Sequence, residues 1–420
     1  MFLYIGIVAV TVLAAAGVKE TAGWPRGTRG RALHVSCLFL IFLILAIPAV
    51  LRQETGNDYL RYVEFFHLAS INAYVPTEEG FNLIVRLIYS LCGYENYILV
   101  FAVFAVLTIA LMLTAIRQQA ENFLFSFFLF MAFAYYFHSY NTMRYYCALA
   151  IVMVSVTYFI RKRYICWILL VLAAALLHKS ALIVLVLYPL AAHLWRVWQI
   201  AALTLAGAAV LVFHDEVISF LLALYPSWED TVDLAAGTSI SWVNIARCAG
   251  TLLVTAVMLW LQGDGDRSEA EDQLAFEAEG ALSVKGTAGP DSGEAAPAQS
   301  FAQKAAGVRL KFCEDRQLRI YVNASMLGML IHIFGWFIPE ISRICYYLTF
   351  TQIFLIPMAI ARIPREHGRL RRLLLGVVIA AALVYFAMFL REAYGDTTKI
   401  LPYKSFLFHD LNQTPSGSIE

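Results

Sequence analysis

An all-α fold of about twelve membrane-crossing helices is what the sequence predicts, and three observations predict it. Sixty per cent of the 420 residues are hydrophobic and only 15% are charged. The mean hydropathy is +0.68, a value that soluble chains of this length rarely reach. The apolar residues fall in runs of 14 to 20 separated by polar connectors, the pattern of repeated passage through a ~30 Å hydrocarbon layer.

The first run, 3–17, ends in Ala14-Ala15-Ala16, which resembles a signal-cleavage site, yet no Lys or Arg precedes it. An uncleaved first helix is expected. Further spans are expected at 32–50, 97–116, 123–137, 143–160, 164–177, 181–194, 200–213, 243–261, 320–338, 344–361 and 373–390. The segments 51–96 and 214–242 are too polar to cross and are expected as interfacial or re-entrant helices. Residues 262–308 are rich in Asp, Glu, Ala, Gly, Ser and Pro. They bury too little apolar surface to offset the entropy of ordering, so a disordered cytoplasmic linker is expected between a bundle over 1–261 and a C-terminal part over 309–420.

Charge sets the topology, because connectors rich in Lys and Arg stay cytoplasmic. The connectors 18–31, 117–122, 161–163, 195–199 and 362–372 hold fourteen Lys and Arg, whereas the alternating set holds eight over many more residues. Both termini are therefore expected outside. The run 164–194 must then cross twice, since one crossing would put Arg362, Arg365, Arg369, Arg371 and Arg372 outside. Each 14-residue arm reaches about 21 Å at 1.5 Å per residue, short of the hydrocarbon thickness. The turn His178-Lys179-Ser180 should accordingly lie below the outer surface, at the floor of a cavity.

Polar residues gather on that outer side. The connector after 137 reads His138-Ser139-Tyr140-Asn141-Thr142-Met143-Arg144. An arginine drawn to the bilayer centre costs roughly 2.5–3.5 kcal/mol, so it faces protein, water or an anion, and Arg144 becomes the first site candidate. The topology adds Asp58, Arg61, Glu64, Glu78, Glu79, Asn141, His178, Glu340, Arg343, Tyr403 and Lys404 to the same side. A one-sided cluster suits chemistry on a group presented at the outer leaflet, whereas transporters tend to bind at the midplane. The seven cysteines form no CxxC pair, which argues against a disulfide scaffold or a zinc ribbon. With no Asp-x-Asp pair on the outer side, neither metal nor cofactor is expected.

The motifs Gly56-Asn57-Asp58-Tyr59-x-x-Tyr62, Glu79-Gly80-Phe81-Asn82, Asn141-x-x-Arg144 before an Ala-rich helix, Arg161-Lys162-Arg163 and His178-Lys179-Ser180-Ala181-Leu182 occur in this order. Together they resemble the ordered motifs of the EpsG-like family of bacterial polysaccharide polymerases. The resemblance covers residues 50–195 and thins to Arg343 and Pro402-Tyr403-Lys404. Two departures are visible: Glu78-Glu79-Gly80 stands where the family often has Glu-Pro-Gly, and Tyr145 follows Arg144 where Gln is common.

The resemblance, which is to a family similar in role to the Wzy polymerases, implies a GT-C-like architecture in the bacterial cytoplasmic membrane. It implies polymerisation of repeat units linked to undecaprenyl pyrophosphate at the outer face, yielding exopolysaccharide, capsule or O-antigen. A diphosphate leaving group requires fixed positive charge, which Arg144 and Arg343, and then Arg61, would supply through a planar fork. The attacking hydroxyl would be assisted by Glu79, Asp58 or His178, with His138 and Asn141 orienting sugar hydroxyls.

Each assignment has a plainer reading. The arginines could snorkel or pair with Glu340 or Glu79, and Glu79 could open the helix that begins near Phe81. Asp58 could cap a helix through 59–68, and His138 and Asn141 could satisfy backbone at a helix break. The implied partners are the lipid-linked oligosaccharide, membrane lipids, a flippase and a chain-length regulator, without nucleic acid. A flippase or exporter of the same lipid-linked sugars, or an O-antigen ligase, is the competing class. An exporter would spread polar residues through both leaflets, and 243–261 and 373–390 supply few.

Overall fold

Each of the twelve apolar runs holds a helix in the structure, a computed structural model that describes residues 1–18, 28–224, 240–282, 314–338, 341–395 and 398–407. Among the described residues, six helices are long and apolar enough to cross a membrane: Gly30–Leu51, Tyr97–Gln119, Met143–Ile160, Trp242–Gln262, Ile341–Ala361 and Arg365–Glu392. The chain is thus a multi-pass membrane protein, all-helical among the described residues. The remaining runs hold shorter or more polar helices, so the structure supports fewer full-length spans than the twelve expected.

The chain divides into two compact units, the first made of Met1–Pro189, Glu340–Pro357 and Val377–Glu420, the second of Leu190–Pro339 and Met358–Gly376. In the first unit α1 is Phe2–Ala15, α2 Thr28–Leu51, α3 Tyr59–Ser70, α4 Glu79–Cys92 and α5 Tyr97–Gln119. Then come α6 (Phe123–Ala132), the single turn α7 (Tyr135–His138), α8 (Met143–Ile160), α9 (Tyr164–Ala175), a 3₁₀ turn Lys179–Ile183 and α10 (Val184–Ala192), which runs on into the second unit. Caps fix several starts: the Asn96 side chain accepts from the Leu99 N–H at 3.0 Å before α5, and Asn122 accepts from the Phe125 N–H at 2.8 Å before α6. The segment 51–96, expected as interfacial, forms α3 and α4.

At the centre lies α8, packed between α5 and α9. Its span is 78% buried, against 28% for α2, so α8 faces protein along most of its length. Its polar N-terminus is therefore held by neighbours on several sides.

The run 123–137 departs from expectation: it is two helices, not one. Ala134 adopts φ 60°, in the left-handed region, and stops α6 at 10 residues, about 15 Å at 1.5 Å per residue. No Gly or Pro marks the spot. The reversal instead buries Tyr135, Tyr136, Phe137 and Tyr140, and that aromatic packing outweighs the ~1–2 kcal/mol penalty of a left-handed alanine. Ala134→Gly removes the penalty without losing a contact beyond the methyl. The greater freedom of glycine in the unfolded chain and the loss of a buried methyl offset that relief, so stability is expected to change by less than about 1 kcal/mol, seen as an unfolding midpoint in detergent close to that of the wild type.

The run 164–194 forms two helices that fold back on each other, as ring contacts show. α9 starts with Trp167 against Phe159 at 4.7 Å and ends where His178 meets Tyr145, at 5.4 Å. The second arm then returns, bringing Tyr188 to 5.7 Å from the same Phe159. The chain reverses at His178-Lys179-Ser180 beside the start of α8.

In the second unit α11 is Val197–Val212, α12 His214–Leu224, α13 Trp242–Leu282 and α14 Arg316–Phe334. α11 and α12 meet at an 81° bend, and α13 and α14 pack together. Asp315 caps α14 by accepting from the Leu318 N–H at 2.9 Å and pairs with Arg362 at 2.5 Å. The expected linker departs in part: residues 262–282 continue α13, and 283–308 lie outside the described residues. The Ala, Glu and Gln of 269–282 are strong helix formers, so local propensity extends the helix beyond its apolar part. Of the segment 214–242, residues 225–239 also lie outside the described residues. The last helices are α15 (Ile341–Thr349), α16 (Gln352–Ala361) and α17 (Gly368–Glu392), with α15 and the end of α17 in the first unit.

Candidate functional site

The start of α8 gathers charge from four parts of the first unit. Arg144, the second residue of α8, forms an ion pair through Nη1 with Glu78 Oε2, and both side chains are largely buried, 16% and 12% exposed. The guanidinium lies over Phe81 at 5.4 Å and Tyr62 at 5.9 Å, and aromatic faces of this kind stabilise a cation most when water is excluded. Its Nε is buried with no hydrogen-bond partner. Arginine has five N–H donors, so Arg144 keeps donors for an anion while Glu78 anchors it.

Glu78 ties the site together. It is the N-cap residue of α4, yet its carboxylate does not cap. One oxygen takes Arg144, and the other accepts from the backbone N–H of Lys179 at 3.0 Å. The turn that reverses α9 is thereby held against α8. Gly80 makes this approach possible, because a Cβ there would come 2.6 Å from the Leu176 carbonyl oxygen and from Leu176 Cβ.

His178 sits in that turn with Nδ1 2.7 Å from Ser180 Oγ, which in turn lies 3.0 Å from the Tyr347 hydroxyl. Burial, and then the Arg144 and Arg343 guanidiniums, hold the imidazole down to about 4 against the opposing pull of Glu78. The ring is neutral at physiological pH.

Asp58 occupies the N-cap position of α3, but its side chain makes no capping bond. The plain capping role is not the one its carboxylate plays. Burial raises its pKa, and Arg343, Arg61 and Arg144 pull the other way. Its backbone N–H donates to Asn141 Oδ1 at 3.3 Å, so Asn141 fixes where α3 begins. Arg343, half-buried in α15, is placed by its carbonyl, which accepts from the Tyr145 hydroxyl at 2.6 Å. Arg61 is exposed on α3 with its guanidinium 5.5 Å from the Phe65 ring.

Of the residues singled out in the sequence, Asp58, Asn141, Arg144, His178, Arg343 and Arg61 thus meet at one end of the unit. Glu79 does not. Its carboxylate is 85% exposed and pairs with Arg86 at 3.3 Å on its own helix, so the plainer reading, a first-turn acid of α4, fits it. Glu78, one residue earlier, takes the position beside Arg144. The signal was present: Glu78, not Glu79, stands at the first position of the Glu-Pro-Gly motif. His138 packs against Phe389 at 5.0 Å and Tyr146 at 6.4 Å. Tyr62, Ser180 and Tyr347 are contributors that side-chain type alone did not single out. Among the described residues no three metal-ligating side chains gather.

The two glutamates should respond differently to mutation. Glu79→Ala is expected to change stability by less than about 1 kcal/mol, as for other exposed pairs. Glu78→Ala strands Arg144 in a largely buried place, a loss of about 3 kcal/mol by the precedent of broken buried pairs. Thermal unfolding of both variants in detergent checks the contrast.

Comparison with known proteins adds one finding: the model of the EpsG family matches residues 35–278 and 293–405, most of the chain. The unmatched stretch between them falls inside the segment expected as a linker. No curated protein and no solved structure matches the chain.

Proposed function

We propose, from the premise that the chain belongs to the EpsG family, that it is a polysaccharide polymerase extending lipid-linked repeat units at the outer face of the bacterial cytoplasmic membrane. Membership itself suggests an exopolysaccharide polymerase. The observation that carries the finer reading is the convergence of Arg144, Arg343, Asp58 and a neutral His178 at one end of a membrane bundle. The opposite end of α8 carries Arg161, Lys162 and Arg163, the signature of a cytoplasmic end. The site end is then the outer one. On the same reasoning the short helices complete about twelve crossings in a GT-C-like arrangement, with both termini outside.

In the proposed reaction Arg144 and Arg343 grip the diphosphate that joins the growing saccharide to undecaprenyl. Fixed guanidinium donors stabilise the charge that develops as the bond between the anomeric carbon and the diphosphate oxygen breaks. The hydroxyl of an incoming unit bonds to that carbon, its proton passes to His178 or Asp58, and the lipid diphosphate leaves with the bonding electrons. An imidazole at about 4 is a weak base in the empty site. The arriving diphosphate offsets the two arginines and raises its proton affinity when it is needed. Glu78 replaces Glu79 as the carboxylate of the site, holding Arg144 in place.

The test is reconstitution: purified protein incubated with a defined lipid-linked repeat unit should yield a ladder of lengthened products. Folded protein that yields no ladder overturns the reading and returns the case to an exporter of the same substrate. A flippase and a chain-length regulator are the proposed partners in the membrane.

A further inference from the structure

One strong charge lies outside the cluster around Arg144. Arg52, directly after α2, is 3% exposed, and its Nε is buried without a hydrogen-bond partner. No described carboxylate pairs with it. It is held instead between two rings, 4.9 Å from Tyr140 and 5.3 Å from Phe101. A buried cation without a counter-ion is a net cost that two aromatic faces offset only in part, so an apolar side chain of equal volume would serve stability better. What the guanidinium contributes is a flat, rigid spacer.

The stack has a direction. Phe101 lies flat on Tyr59, 4.4 Å away with the planes 7° apart, and Tyr140 shares a 2.5 Å hydroxyl contact with Tyr136. Contacts therefore run from Tyr59 through Phe101 and Arg52 to Tyr140. Tyr59 follows Asp58 and Tyr140 precedes Asn141, the two residues joined by the 3.3 Å hydrogen bond that starts α3.

The backbone around Arg52 is clamped as well. The tail crosses it: Gln53 N–H donates to the Lys404 carbonyl at 2.9 Å, Gly56 N–H to that of Lys399 at 2.8 Å, and Phe406 N–H to that of Leu51 at 3.2 Å. Lys404 Nζ also pairs with Glu54 at 2.8 Å. Glu54 (φ 46°) and Lys399 (φ 44°) are both left-handed without being glycine, a strain that persists only where surroundings over-determine the chain. Gly56, at φ 103°, passes so near Tyr140 that a Cβ would come 2.5 Å from its carbonyl oxygen.

We infer that Arg52 is a positioning residue: stacked between Phe101 and Tyr140 under the C-terminal strap 398–407, it sets the spacing of Asp58 and Asn141 and so aims Asp58 at the Arg144 site. This rests on the polymerase reading for its consequence, but the positioning itself can be measured without activity. Arg52→Met keeps the volume and removes the flat cation. It is expected to insert and to melt no lower than the wild type, while amide exchange quickens at 56–62 and 140–144. Turnover should fall about tenfold or more, as for a displaced catalytic group, with KM nearly unchanged. Arg52→Lys, a point charge without a plane, should recover only part of the turnover.

A double-mutant cycle settles the route of action. If Arg52 works through Asp58, Arg52→Met costs less than about twofold in an Asp58→Asn background. Equal losses in both backgrounds, or unchanged exchange at 56–62 and 140–144, overturn the inference. Quickened exchange in a protein whose wild type makes no ladder would sink the polymerase reading and leave the positioning role standing.

Discussion

Arg144→Ala is expected to leave the protein inserted while lowering chain lengthening about 10²–10³-fold, the usual loss when one charge-stabilising donor leaves an active site. The guanidinium is held on two rings and anchored by Glu78 while Nε stays unpartnered. This arrangement orients a cation and leaves donors over. Arg144→Lys keeps the charge and loses the fork, so it should recover activity only in part. Removing Arg144 also leaves Glu78 as a lone carboxylate, which could reduce abundance for reasons unrelated to chemistry. Arg144→Ala combined with Glu78→Gln removes that charge: abundance should return and activity should not. Normal chain lengths in Arg144→Ala would exclude Arg144 from the site.

His178→Gln is the second large effect, expected to cost about 10²–10⁴-fold if the imidazole takes the acceptor's proton. The pH dependence is specific. A free imidazole titrates near ~6.5, but His178 is held down to about 4 by burial and by Arg144 and Arg343, against Glu78. Wild-type kcat/KM should therefore show no imidazole inflection between about pH 5.5 and 7.5, whereas an inflection near 6.5 would contradict the buried, neutral ring. The sign for stability follows. The unfolded chain binds a proton near pH 6.5 that the folded site refuses until about pH 4. The contribution of His178 is thus complete above the unfolded value and is lost as pH falls through this window. His178→Gln should flatten that part of the stability profile.

Legibility differed from residue to residue. The boundaries of α8 agree with the apolar run 143–160, because hydropathy and a polar flank act over a few neighbouring residues. The break at Ala134 was invisible, since nothing local favours a left-handed alanine; four buried aromatic rings beyond it impose the turn. Glu78 and Glu79 were nearly equal as sequence, yet Glu78 is the extended N-cap residue and Glu79 the first residue of α4. That change of backbone sends Glu79 to Arg86 and leaves Glu78 for Arg144. Arg52 was not singled out in the sequence, since nothing local distinguishes it, and it lies buried beside two aromatic rings.

By itself the sequence determined that this is a helical membrane protein of the EpsG kind. Composition, hydropathy and charge bias are sums over short windows and need no knowledge of packing. The tertiary structure decided which carboxylate holds Arg144, that the turn at His178 docks on α8, and that Arg52 lies between rings. Those partners are 66 residues apart for Glu78 and Arg144, and 101 apart for Glu78 and Lys179. Such pairs meet only through the rotation and stacking of whole helices, which no local window contains.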